Sequence, residues 1–142
     1  MKAVLFALLV AVSAVALAQS AEDRLFRAID DDKQLVAEGI VARSGLRLDA
    51  RNGDNETALH RAIEKGFRPL SEMLVKAGAP VTARSKNGET PLHYAAAYGD
   101  EEMIQAMLLA GADREAPNTH GETPLNYAGR HHRPRSIRDL MK

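Results

Sequence analysis

Hydrophobic positions fall into two regimes along this chain. From Met1 to Ala18 they are nearly continuous, with 16 apolar residues broken only by Lys2 and Ser13. Beyond Gln19 they thin into short clusters. Leu25, Phe26, Ala28 and Ile29 form one cluster, and Ala37, Ile40 and Val41 the next. Leu70, Met73, Leu74 and Ala77, then Met103, Ala106, Met107 and Ala110, follow the i, i+3, i+4, i+7 spacing of an amphipathic helix. Leu92, Ala95 and Ala96 predict a helix with a narrow face of small residues, which permits close approach to a neighbour. Ile137, Leu140 and Met141 predict a last helix, opened by Pro134.

Thr, Pro and Gly punctuate these helices. Thr57, Thr90 and Thr123 are good N-caps, each with a hydroxyl to accept from an orphan amide of the first turn, and Pro91 and Pro124 follow at the first helical position, where a missing N–H does no harm. Gly66 and Gly99 end first helices. Gly45, Gly78 and Gly111 stand just past second helices, where a left-handed residue closes the helix without a Cβ clash. Polar stretches such as Asp49 to Asp54 and Thr82 to Asn87 read as projecting turns.

The same landmarks carry an internal repeat. Thr57-Ala58-Leu59-His60, Thr90-Pro91-Leu92-His93 and Thr123-Pro124-Leu125-Asn126 recur every 33 residues, and Ala62, Ala95 and Ala128 keep that register. So do Gly45, Gly78 and Gly111. No helix pair of this size buries its apolar face alone, so neighbouring units must stack. With this period and the run Thr90 to Ala95 (TPLHYA), the chain resembles an ankyrin-repeat protein over nearly all of the region after Ala18.

The resemblance implies an all-α solenoid of about four helix-turn-helix units with projecting β-turns. A cap would span residues 22–50, full repeats 51–83 and 84–116, and a C-terminal unit 117–142. The cap's outer side is expected to be solvated by Glu22, Asp23 and Asp30 to Asp32. Asn55 replaces the turn glycine of Gly88 and Gly121, which is acceptable because Asn tolerates left-handed geometry. His132 stands where Gly66 and Gly99 predict glycine, so the last helix–helix turn is expected to be irregular.

Composition changes this picture at the N-terminus first. One Lys, an apolar run from Ala3 to Leu17 and small residues at Ala16 to Ala18 form the layout of a secretory signal peptide of bacterial type, with cleavage expected after Ala18. A spanning helix wants about 20 apolar residues. The run is shorter and meets Glu22 and Asp23, so no stable membrane insertion is expected after cleavage. The remaining chain, residues 19–142, would reside in the periplasm or be secreted. The 19 basic and 19 acidic residues of the whole become 18 and 19 without Lys2, a charge of about −1. Zero cysteine excludes disulfides, thiol catalysis and cysteine zinc sites.

Candidate chemistry is sparse. His60 and His93 occupy the fourth motif position, where hydrogen bonds to Thr57, Thr90 and nearby backbone account for them; no nucleophile, acid and oxyanion donor accompany them. His120, His131 and His132 with Glu122 are the one set that a metal-assisted hydrolase would use, at no known ligand spacing. Neither metal nor other cofactor is expected. Arg130 to Lys142 carries five positive charges and one negative, a basic end without the interleaved aromatics of a nucleic-acid surface.

The resemblance also implies a binding surface, formed by the turn tips and the exposed side of the first helices. Carried over, it comprises Arg51, Asp54, Glu56, Glu64 and Lys65, then Arg84, Lys86, Asn87, Glu89 and Tyr98. Thr119, His120, Glu122, Arg130 and His131 complete it. Tyr98 is the expected anchor, while Tyr94 and Tyr127 are expected to pack between repeats. The expectation is a monomeric, non-enzymatic protein that binds a protein partner, supporting a periplasmic enzyme or blocking a toxin as an immunity factor; a passive envelope component is a third reading.

Overall fold

The computed structural model describes residues 19–43 and 45–142. The expected signal peptide lies outside the described residues. Eight helices and no strand are present among them: α1 (Ala21–Asp30), α2 (Gln34–Ala42), α3 (Ala58–Glu64), α4 (Arg68–Lys76), α5 (Pro91–Tyr98), α6 (Glu101–Leu109), α7 (Pro124–Arg130) and α8 (Arg135–Leu140). Consecutive helices pair antiparallel through short turns. The first helices α1, α3, α5 and α7 pack in one layer and the second helices α2, α4, α6 and α8 in another. The protein is thus an all-α solenoid of stacked helix-turn-helix units, the architecture that the resemblance implies.

Small residues set the spacing of the first layer. Leu59, Ala62, Leu92, Ala95, Ala96 and Ala128 are fully excluded from solvent, and the alanines let successive backbones approach closely. Among the described residues the core is one contiguous cluster running from Leu25 to Met141.

In the second layer the buried stripe is rotated from the predicted one. Met103, Ile104 and Met107 face the core in α6, and Leu70, Ser71 and Leu74 in α4, whereas Ala77 and Ala110 are exposed. Second helices touch their own first helix and the second helices of both neighbours, which pulls in the i+1 position. Ser71 is tolerated there because its hydroxyl donates to the Phe67 carbonyl at 2.9 Å.

The turns follow a local logic. Gly78 and Gly111, at φ +91° and +96°, allow Ala79 and Ala112 to donate back to Leu74 and Met107 in Schellman closures. The last helix–helix turn is regular, contrary to the sequence expectation. His132 adopts φ +51° and Arg133 donates to the Ala128 carbonyl, matching Gly66 at +72° and the bond from Phe67 to Ala62. The exception is Gly99, which is extended, and a Cβ there would stand 2.7 Å from the Ala95 carbonyl oxygen.

Two outcomes follow from this contrast. His132→Gly relieves left-handed strain and should stabilise by about 1 kcal/mol in denaturant titrations. Gly99→Ala should destabilise by about 1–3 kcal/mol, because the obstacle is backbone that cannot swing away.

Candidate protein-binding face

The turn layer is built from three equivalent polar boxes. Asn52, Ser85 and Asn118 each accept from two amides of their own turn and donate across it to Glu56, Glu89 and Glu122. Adjacent turns are joined by Lys86 N–H to the Asp54 carbonyl at 2.8 Å and Thr119 N–H to that of Asn87 at 2.9 Å. Arg51 and Arg84 strap the tips together. Each donates to a carbonyl in its own turn and to one in the next, that of Arg84 and Pro117 respectively.

Behind the tips, the threonines and histidines lock the first helices. The Thr57 N–H donates to His60 Nδ1 at 3.1 Å, and His60 Nε2–H donates to the Glu89 carbonyl at 3.0 Å. His93 repeats the arrangement with Thr90 and the Glu122 carbonyl at 2.9 Å. Those partners define a neutral imidazole protonated on Nε2. Burial holds both rings below the ordinary histidine range, His93 down to about 4. In the last unit Asn126 supplies the acceptor, at 2.7 Å from the Thr123 nitrogen.

A chain of carboxylates and phenols runs along the same face. Tyr94 donates to Glu56 at 2.5 Å, Tyr127 donates to Glu89, and Asn118 bonds both Tyr127 and Glu122. Glu122 meets Arg130, whose guanidinium lies 5.0 Å over the Tyr127 ring. Burial, then the bond to a carboxylate, pushes the Tyr94 phenol up and that of Tyr127 to about 12, so both remain donors at neutral pH.

These contacts sort the predicted surface. Glu56 is buried and Glu89 half-buried, each already bound to a tyrosine, so neither offers a free carboxylate. Glu64 pairs with Arg61, and Lys65 with Asp32 at 2.9 Å. Asp30 likewise takes Arg61 at 2.8 Å, so Asp30 and Asp32, though exposed, pair with the second unit. Arg51, Arg84 and Thr119 are exposed but engaged between turns. Asp54, Lys86, Asn87, His120, Arg130 and His131 are open to solvent, and Glu122 half so.

Tyr98, Arg130 and His131 form one exposed patch. Tyr98 is 48% exposed, with its ring 5.2 Å from His131 edge-on and 6.5 Å from Tyr94. His131 stacks against Tyr127 at 6.3 Å. Beside the patch, Asn87, Glu89, His120, Glu122, Tyr127 and Arg130 line a cavity of about 380 Å³. His120, His131, His132 and Glu122 do not converge, and no group of three or more ligand side chains able to hold a metal ion is present among the described residues.

A family model for ankyrin repeats in three copies matches residues 72–142, and one for the single ankyrin repeat matches 54–86. The chain belongs to the ankyrin-repeat family. No curated protein matches it. Ankyrin repeats are protein–protein interaction modules and typically non-enzymatic scaffolds, which gives this ankyrin protein a protein-binding role. No helix among the described residues is long and apolar enough to cross a membrane.

Sequence reasoning missed the polar boxes and the tyrosine–carboxylate chain in this face. Their signal was present: Asn52, Ser85 and Asn118 keep the 33-residue period, as do Tyr94 and Tyr127. Position in the turn suggests exposure, whereas these side chains fold inward.

Proposed function

We propose that the protein is an exported, non-enzymatic, monomeric ankyrin scaffold that binds a protein partner through its concave face and modulates or stabilises a periplasmic enzyme. The observation that carries this reading is the Tyr98–His131–Arg130 patch. It is an exposed aromatic and cationic cluster held by a strapped, hydrogen-bonded turn layer, so association loses little side-chain entropy there. Aromatic and Arg side chains in such settings dominate binding energy. Export rests on the apolar run before Gln19.

Crosslinking from a photoreactive residue at His120 in living cells, read by mass spectrometry, tests compartment and partner together. A periplasmic enzyme crosslinked at His120, in the cavity that Arg130 also lines, supports the reading. A cytoplasmic partner removes the export reading, and a secreted or imported toxin as the crosslinked species replaces enzyme support by immunity.

A further inference from the structure

The N-terminal end of the solenoid departs from what a terminal repeat needs. Terminal units keep a stack soluble by presenting a polar outer face. Here four carboxylates of the first unit are engaged away from that face. Glu22 accepts from the Arg47 N–H at 2.8 Å, Asp23 caps α1 with Ser20, and Asp30 and Asp32 bind Arg61 and Lys65 of the next unit. The outer side between α1 and α2 instead carries Leu35, 81% exposed, and Val36, 53% exposed.

These two lie on one side of α2 with Gly39 and Ile40, spaced i, i+1, i+4, i+5, and line a cleft of about 590 Å³ with α1. A Cβ added at Gly39 would meet nothing within 4 Å, so the floor of the cleft is open to another backbone. The rim is cationic. Arg24, Arg27, Lys33 and Arg43 border it against one carboxylate, Asp31, which Lys33 neutralises at 3.2 Å. Arg24, Arg27 and Arg43 have no ion-pair partner among the described residues.

We propose that this end is a second docking surface, occupied by an acidic amphipathic helix of another protein lying along the α1–α2 cleft. Shape and charge select that occupant. A solenoid end grows by accepting helices, and the cleft is where the next unit's helix would lie. A second copy is disfavoured in either arrangement: head to head sets Arg24, Arg27 and Arg43 against themselves, and head to tail sets them against Arg135, Arg138 and Lys142. A concave cleft also suits a helix better than a flat anionic membrane. The proposal is independent of the concave-face reading, since the two surfaces share no residue.

The test uses the protein as purified from its native host, a fluorescent Glu/Leu amphipathic helix of about 18 residues, and a Lys/Leu helix of equal length. Saturable binding of the Glu/Leu helix is expected. It should weaken at least about tenfold in Leu35→Asp/Val36→Asp and in Arg24→Glu/Arg43→Glu, with melting temperatures unchanged. The charge-reversed variant should gain affinity for the Lys/Leu helix. Equal binding of both helices to the unaltered chain, or binding indifferent to these substitutions, would overturn the proposal. So would concentration-dependent dimerisation abolished by Leu35→Asp, or flotation with anionic vesicles that the same substitution abolishes.

Discussion

Protonation linked to His93 alone should lower the unfolding free energy by about 3 kcal/mol as pH drops from 7 to 4, and His93→Asn should remove that share of the loss. Burial is the cause: His93 has no solvent exposure and its folded pKa is held near 4, against about 6.5 in an unfolded chain. Above about pH 6.5 the ring is neutral in both states and its full contribution is present. Between about 6.5 and 4 the unfolded chain takes up a proton that the folded one refuses, so stability declines as pH falls. His60, shifted the same way by the same cause, steepens the slope.

Asparagine separates the proton from the hydrogen bonds. Asn126 already accepts from the N-cap amide of its unit, so His93→Asn keeps that acceptor while removing the titrating group. It also loses the bond to the Glu122 carbonyl and the edge contact with Tyr127 at 5.0 Å, about 1–2 kcal/mol at pH 7. His93→Ala strands the Thr90 amide as well and should cost about 3–4 kcal/mol, a large part of the total for a domain of this size. Urea titrations at pH 7, 5.5 and 4 for the three proteins decide the matter. Parallel pH profiles for the unaltered chain and His93→Asn would refute the assignment.

The second large effect concerns recognition. Tyr98→Ala with Arg130→Glu should weaken the crosslinked partner's affinity by more than about 100-fold, roughly 3 kcal/mol, while Tyr98→Ala alone should change stability by at most about 1 kcal/mol. Tyr98 is half exposed and makes no side-chain hydrogen bond among the described residues, so truncation removes contact area without stranding a polar group. Arg130→Glu reverses a charge next to Glu122. Arg84→Glu is the contrasting substitution. Its guanidinium bridges the Gly88 and Pro117 carbonyls, so its loss should register in stability as well as binding. Isothermal titration and thermal melts of both variants distinguish the roles, and full retention of affinity in the double variant would discard the patch.

Much of this architecture is legible in the sequence. Thr, Pro and Gly act through local backbone geometry, so helix starts at Thr57, Thr90 and Thr123 and left-handed closures at Gly78 and Gly111 follow from residue type. The first-helix face of Leu92, Ala95 and Ala96 was readable because that helix meets its neighbours along one narrow stripe. His132 was misjudged because turn geometry there is imposed by the bond from Arg133 to Ala128, which holds a non-glycine residue left-handed.

What required the tertiary structure was every choice between two directions for a side chain. Ile104 over Ala110 in the second-helix stripe depends on neighbours on two sides. Glu56 and Glu89 turn inward because Tyr94 and Tyr127 of the following units come within hydrogen-bond reach, partners 38 residues away in the chain. Asp30 and Asp32 turn toward Arg61 and Lys65 for the same reason and leave the N-terminal end apolar and basic. The sequence by itself determined the repeat, the helix limits and the family, since each is written in local geometry recurring every 33 residues. Which charges remain free for a partner was decided only by stacking, because pairing across units depends on distances that no local pattern contains.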